Sequence, residues 1–393
     1  MAFLPGVTAR DLKSVMCLED LEPMGRAFLP RVLWEFVSTG VEGNLSREEN
    51  RRAFEDVWFV PRVLKDVRER RIDRELHGTT FDAPFGIAPM GASAMFGFEA
   101  DLNFARAAKK ANIPYIMSGS ALIPMEKIIE ANPDVGFQAY VESSRDAIEP
   151  LVGRVERAGF KHLVVTVDVP VAGNRGSNMR AGFNYPIKPS AALALDGITH
   201  PRWLWSVFLK TLRTSGIPHL ENLGAGRGIP MLSFNAPPRV NAREGLDWED
   251  IAWLRDRWKG RLTIKGVLSA DDAVQAGKTG LDGIIVSNHG GRQLDGSISP
   301  LQALPAIVAA KPGIPIMFDS GIRRGTDVLK ALALGADFVF LGRPFLLAAA
   351  MFGEPGVLKA AEILKSEIYR NMAILGLTDY EDLPSRVVTG RGL

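Results

Sequence analysis

From residue 84 onward the chain repeats one pattern: a short apolar run, a polar turn, then an amphipathic segment rich in Ala and Leu. Eight such runs occur: FGIAP (85–89), PYIMS (114–118), GFQAY (136–140), LVVTVD (163–168), LTIKG (262–266), GIIVSN (283–288), PIMFDSG (315–321) and FVFLG (338–342). They are continuous rather than alternating and rich in Ile, Val and Phe, as parallel strands buried on both faces are. Between them, FEADLNFARAAKKAN (98–112) brings Phe104, Ala105, Ala108 and Ala111 near one helical face. SADDAVQAGKTG opens on Ser269 and stops at Gly280; GTDVLKALALGA opens on Thr326 and Asp327 and stops at Gly335. Polar caps first and glycine last are helix punctuation. Eight strand–helix units suit either a closed barrel or an open doubly wound sheet. Their spread over roughly 260 residues favours the barrel, so the expected fold is α/β, a (β/α)8 TIM barrel.

Two regions break the rhythm. Residues 1–83 precede the barrel, and within them RAFLPRVLWEFVSTG and SREENRRAF read as helices. Arg68 to Asp73 read as a solvated charged stretch. Residues 170–246 separate the fourth and fifth strands, far more than a βα connection needs, and long connections are often lids or binding loops. The expected layout is N-terminal helices over 1–83, a barrel over 84–353 that carries the 170–246 lid insertion, and C-terminal helices with a polar tail over 354–393.

Composition narrows the function classes. The 47 basic and 45 acidic side chains leave a net charge of +2, which gives no footprint for nucleic acid. The single cysteine, Cys17, rules out an intramolecular disulfide and a cysteine metal cluster, and no metal is expected. The first residues lack a secretory pattern and no apolar run is long enough to span a bilayer, so the expected location is the cytoplasm.

In a (β/α)8 barrel the chemistry sits at the carboxyl ends of the strands. Those ends supply Pro89 and Met90, Ser118, Gln138 and Tyr140, Thr166 and Asp168, Lys265, His289, Asp319, and Gly342 with Arg343. His289, in the string SNHGGRQLD, is the natural proton acceptor, and Asp168 would orient it as a carboxylate orients a triad base. The bland reading of His289 is a turn-capping structural histidine. Arg292 would clamp a substrate carboxylate. Lys265 either snorkels to solvent or faces the barrel mouth, and its parity is open. FDSGIRRGTD and FLGRPF run from strand ends through glycine into helix starts, the recurrent phosphate position of these barrels. Gly321 and Gly342 would donate backbone N–H groups there, with Arg323 and Arg343 adding charge. Two ordinary turns with surface arginines are the alternative. No GxGxxG follows a first strand, which disfavours a Rossmann dinucleotide site.

GIIVSNHGGRQLDG, IKGVLSADDA, FDSGIRRGTDVLKALALGA and LGRPF together resemble the FMN-dependent α-hydroxy-acid dehydrogenase and oxidase family, over about residues 10–385. The resemblance implies FMN as cofactor and oxidation of a 2-hydroxy acid to the 2-oxo acid, with a quinone, another carrier or oxygen as electron acceptor. It implies His289 as base, Asp168 as its partner, Arg175 and Arg292 near the substrate carboxylate, Tyr140 beside the substrate, and Lys265 against the flavin edge where reduction places charge. Pro89, Met90, Gly91, Ser118, Gln138 and Thr166 would contact the isoalloxazine or ribityl part, and Asp319, Gly321, Arg323, Gly342 and Arg343 would hold ribityl and phosphate. A homo-tetramer is implied by analogy only.

Three positions depart from the family pattern. Phe36 stands where the family has a carboxylate-binding tyrosine, Ser120 where glycolate oxidase has a large aromatic, and Gly91 where the oxidases tend to have alanine. They point to a wide pocket for an aromatic, branched or otherwise bulky substrate, with lactate also open, and to an acceptor other than oxygen. Phe36 also motivates a second reading, a flavin barrel acting on a carrier- or peptide-borne substrate or an amine. A third is a phosphate-binding barrel without redox chemistry. The 186–240 insertion, with Lys188, Arg202, Lys210, Arg213, Arg227, Arg239 and the pair Trp203 and Trp205, reads either as a peripheral contact with the inner face of a membrane or as a lid packed on the barrel.

Overall fold

The structure, a computed structural model, describes residues 9–184, 186–235 and 243–390. All eight apolar runs form strands: β1 (Phe85–Ile87), β2 (Ile116–Ser118), β3 (Gly136–Ala139), β4 (His162–Thr166), β5 (Arg261–Val267), β6 (Gly283–Val286), β7 (Ile316–Asp319) and β8 (Phe338–Leu341). Each pairs in parallel with its neighbour in sequence from β2 to β8, and β8 pairs with β1. A parallel bridge between Ile87 and Tyr115, with Ile87 N–H donating to the Pro114 carbonyl at 2.9 Å, closes the ring. The sheet is a closed barrel, not the open doubly wound alternative.

The three helices read from punctuation form as Ala100–Ala111, Ala270–Lys278 and Gly325–Ala333. Ser269 caps the second through the N–H groups of Asp271 and Asp272. Asp327 caps the third, accepting from the N–H groups of Arg323 and Arg324 at 2.8 and 3.0 Å. Strand side chains alternate between two cores. Ile116, Val164, Ile285, Met317, Phe338 and Phe340 fill the barrel interior, while the opposite faces pack on the helices.

The extensions differ from the sequence reading in several places. Within 1–83 the helices Arg31–Ser38 and Leu45–Arg52 form inside the two strings read as helical, but the first string is interrupted at Leu29 and Pro30, its start belongs to a separate helix Leu21–Phe28, and a hairpin of Arg74–Leu76 and Thr79–Phe81 follows. Leu76 and Phe81 pack into the barrel's lower end, with Phe81 edge-on to Phe338 at 5.9 Å. The tail is not simply polar. After the helix Arg343–Leu375, broken at Gly353, Val387–Thr389 pairs antiparallel with Val57–Phe59. Two valines are too short a run to announce a strand, and the partner lies far upstream. The insertion after β4 carries the helices Gly176–Ala181 and Ala191–Ile198 and a continuous helical stretch from Pro201 to Ser215. Arg239 lies outside the described residues.

Candidate active site

A cavity of about 700 Å³ opens at the carboxyl ends of the strands. Its wall includes Pro89, Met90, Gly91, Gln138, Tyr140, Thr166, Lys265, His289, Asp319, Gly321, Arg323, Gly342 and Arg343, together with Phe36, Ser120, Arg175 and Arg292. Barrel parity explains much of this convergence. Gln138, Thr166, Lys265 and Asp319 each stand an even number of residues from an interior position of their own strand (Gly136, Val164, Thr263 and Met317), one layer above the apolar plug. Ser118 is the exception among the expected cofactor contacts. It does not reach the wall; its hydroxyl donates to Gln138 Oε1 at 3.0 Å and fixes that amide instead.

His289 follows β6 on a turn in which it, Gly290 and Gly291 take φ of 59°, 70° and 72°. That left-handed run curls the backbone so that the imidazole turns back over the mouth, and the glycines adopt it without steric cost. His289 Nδ1 lies 3.0 Å from Asp168 Oδ1. With the carboxylate as acceptor, Nδ1 carries the proton and Nε2 is left as the base. Burial depresses the imidazole's affinity for a proton, Lys265 and Arg175 add to this, and Asp168 opposes them; the net value falls below that of ordinary histidine. Burial pushes the Asp168 carboxyl up, but His289 and Lys265 outweigh it and hold the group below the usual range. A neutral imidazole thus faces an ionised carboxylate at neutral pH.

Asp168 fits where it does because of Gly266. The ladder between β5 and β6 slips between Lys265 and Val267, and Gly266 sits in this bulge with φ of 112°. A Cβ there would stand 2.5 Å from Asp168 Cβ. The same strand sends Lys265 into the mouth, which settles its parity. Its ammonium bonds Asp319 Oδ2 and Ser287 Oγ, both at 2.8 Å. Burial opposes the charge on Lys265, but Asp319 and Asp168 more than compensate and raise its pKa.

The arginines are organised by the early helix Arg31–Ser38. Arg343 donates to the carbonyls of Val37 and Gly290 at 2.7 and 3.1 Å, and Arg292 to the carbonyls of Phe36 and Thr39. Carbonyls at a helix C-terminus carry the negative end of its dipole and suit cations. Arg175 donates to the Arg292 carbonyl and to Gln293 Oε1. Phe36 stacks on Phe183 at 4.2 Å, and the Arg292 guanidinium lies 4.6 Å from the centre of the Phe36 ring. The ring therefore contacts this arginine by cation–π attraction where a tyrosine would add a hydroxyl.

At the β7 and β8 loops Arg323 donates to Glu22 Oε1 at 2.9 Å and stays buried. Burial, with Arg323 and Arg47 nearby, pushes the pKa of Arg343 down to about 9. Crowded, desolvated cations of this kind favour an added anion. Gly321 has a further reason to lack a side chain, since a Cβ there would lie 2.1 Å from the Asn50 carbonyl oxygen. Sequence reasoning missed several parts of the site. Ser287, which bonds Lys265, and Ser320 lay inside quoted strings; Asn184 and Arg243 lie in the insertion and carry no motif, and Lys188 was read only as one of the insertion's basic residues.

The residues fit a flavin mononucleotide on structural grounds. Gln138 Nε2 is buried, has no hydrogen-bond partner among the described residues, and belongs to a wall residue, as a donor to a ring carbonyl would. The cation cluster lies at the phosphate end expected for this barrel. Comparison with known proteins decides the family: the model for FMN-dependent dehydrogenases matches residues 25–390. The chain belongs to the FMN-dependent dehydrogenase family. It is 37% identical to L-lactate dehydrogenase of Pectobacterium atrosepticum over 93% of this chain and 95% of that one. It is 36% identical to (S)-mandelate dehydrogenase of Pseudomonas putida, over 96% and 94%. A crystal structure of a monotopic membrane protein, (S)-mandelate dehydrogenase, superposes with a TM-score of 0.87 at 35% identity, covering 96% of this chain and all of the other. As in the family, the cofactor is FMN and the enzyme is an oxidoreductase. These matches leave no place for the non-redox barrel.

Proposed function

We propose that this family member oxidises a 2-hydroxy acid to the 2-oxo acid with His289 as the base. The observation that carries the reading is the His289 imidazole held 3.0 Å from Asp168 on the same cavity as the buried Lys265–Asp319 pair. In this reading Arg175 and Arg292 bind the substrate carboxylate and Tyr140 flanks the substrate. His289 Nε2 removes the proton whose loss accompanies oxidation, and Asp168 stabilises the imidazolium so formed. Bound FMN supplies the two-electron acceptor. Lys265 and Gln138 would hold the ring system, and Arg323 and Arg343 the phosphate. The holoenzyme should be yellow and bleach anaerobically with a suitable 2-hydroxy acid. A flavin-loaded protein that no 2-hydroxy acid bleaches would favour the carrier-borne, peptide-borne or amine substrate that Phe36 first suggested.

The insertion supports peripheral membrane contact and an acceptor reached there. No helix among the described residues is long and apolar enough to cross a membrane. Leu195, Ile198 and Trp205 are each more than half exposed, and exposed Arg202, Lys210 and Arg213 lie on the same helical stretches. Trp203 does the opposite: it is buried, stacks on Phe208 at 5.5 Å and donates from Nε1 to the Met95 carbonyl. One tryptophan anchors the insertion to the barrel and the other is free to meet a lipid surface. Flotation with anionic vesicles tests this. The chain should float, and a Leu195→Ser, Ile198→Ser, Trp205→Ser triple variant should remain at the bottom.

A further inference from the structure

The string SREENRRAF supplies most of the helix Leu45–Arg52, and only two of that helix's residues are buried, Ser46 and Asn50, at 1% and 3% exposed. Spaced i,i+4, they share one face. The helix is clamped at both ends. Asp295 accepts from the N–H groups of Gly43 and Ser46 at 2.9 Å, and Arg51 bonds Asp327 Oδ2 at 2.7 Å. From this clamped support the Asn50 side chain reaches the turn that carries His289.

Asn50 faces Asn288, and each Nδ2 donates to the other's Oδ1 at 2.7 Å. Asn288 immediately precedes His289, and its Oδ1 also accepts from the Gly291 N–H at 3.0 Å. The left-handed turn thus has a side-chain acceptor for each of its N–H groups: Ser287 Oγ for His289, Ser320 Oγ for Gly290 and Asn288 Oδ1 for Gly291. Ser287 bonds Lys265 and Ser320 bonds Asp319, so two of the three lead back to the ion pair at the mouth. The third, Asn288, leads out of the barrel to Asn50. Two buried amides matched donor to acceptor satisfy each other in one relative placement, and shifting either one leaves polar atoms unpaired. Arg292 has separate anchors, the carbonyls of Phe36 and Thr39.

We infer that Asn50 is a positioning residue for the base: paired with Asn288, it sets where the His289 turn sits over the mouth without itself lining the cavity. The inference rests on the reading of His289 as base and deepens it.

Asn50→Leu keeps the shape of the side chain and removes both hydrogen bonds. The holoenzyme is bleached anaerobically with (S)-mandelate and with L-lactate. In the variant, flavin content and absorbance should be retained. The maximal bleaching rate should fall at least about tenfold, the scale of a misplaced catalytic group, with the half-saturating acid concentration within about twofold of the wild type. The decisive readout is the same substitution in a His289→Gln background. A residue that acts through His289 has nothing left to position there, so the Asn50 factor should shrink close to one. An equal factor in both backgrounds would mean that the pair serves the fold alone, and it overturns the inference. A wild-type rate in Asn50→Leu overturns it as well, while a slow His289→Gln variant leaves the base standing. Asn50→Ser, smaller and still polar, is read by the same criteria if Asn50→Leu loses flavin, and loss of flavin from both also overturns the inference. A wild type that neither acid bleaches, or a His289→Gln variant as fast as the wild type, overturns the underlying reading and this inference with it.

Discussion

His289 and Lys265 illustrate what a single side chain owes to its neighbours. Burial, Lys265 and Arg175 lower the proton affinity of His289, and Asp168 raises it. The base must be neutral, so kcat/KM should fall as pH drops below the ordinary histidine value. Removing the raising influence in Asp168→Asn should move that acid limb to lower pH while cutting the maximal rate. A limb unmoved in the variant would take the Asp168–His289 pair out of the mechanism. His289→Gln should keep flavin bound and slow its reduction about 10²–10⁴-fold, the range of general base catalysis. Lys265 makes a different prediction. It and Asp319 are 5% and 6% exposed, so Lys265→Met strands a buried carboxylate, at a cost of about 3–5 kcal/mol. Denaturant melts should show that loss, and adding Asp319→Asn should recover much of it. The sequence made His289 conspicuous because rare residues and paired glycines frame it. It left Lys265 undecided because alternation cannot show which way a strand faces when a bulge follows.

At the scale of elements, the bulge at Gly266 is the hinge of the design. It tolerates φ of 112° and makes room for Asp168, so two features of the site depend on one missing methyl group. Gly266→Ala should disturb the Asp168–His289 pair directly. We expect kcat to fall at least about tenfold, the scale of a misplaced catalytic group, with flavin absorbance retained. An unaffected kcat would mean the strand relaxes around the new atom. The helix Arg31–Ser38 shows the converse, an element legible in the sequence whose purpose was not. Its apolar periodicity announces a helix, but nothing in RVLWEFVS says that its last carbonyls hold Arg292 and Arg343 from distant loops. The short hairpin before β1 was missed for a related reason. Its strands are three residues each, and only the His77–Gly78 pair, both at positive φ, marks the turn. Strands β1–β8 were legible because burial on both faces demands uninterrupted apolar runs.

The barrel opens at one end into the active-site cavity and is closed at the other by that hairpin, and the closed end sets the acid stability. His162 on β4 lies inside the lower barrel, where its Nε2 is 2.9 Å from Thr263 Oγ1 and its ring meets His77 edge-on at 5.4 Å. Burial, with His77 and Arg261 nearby, pushes its pKa down to about 3. Burial and Arg261 also depress His77, with Asp282 and Asp337 opposing. In the unfolded chain both rings titrate near 6.5, so below that value the unfolded state binds protons that the native barrel refuses. The stability that His162 contributes is complete above 6.5 and is lost progressively as pH falls toward 3. At pH 4.5 the deficit is roughly 2–3 kcal/mol, at about 1.4 kcal/mol per pH unit. Urea unfolding at pH 7.5 and 4.5 should show it, and His162→Gln, which keeps a polar partner for Thr263 without a titrating ring, should shrink the difference between the two. Equal pH dependence in the variant and the wild type would place the acid-sensitive group elsewhere. Because the lower end lies across the strands from the mouth, the substitution should leave the acid limb of kcat/KM, set by His289, where it was. The two pH dependences of one barrel would then separate by position along its axis.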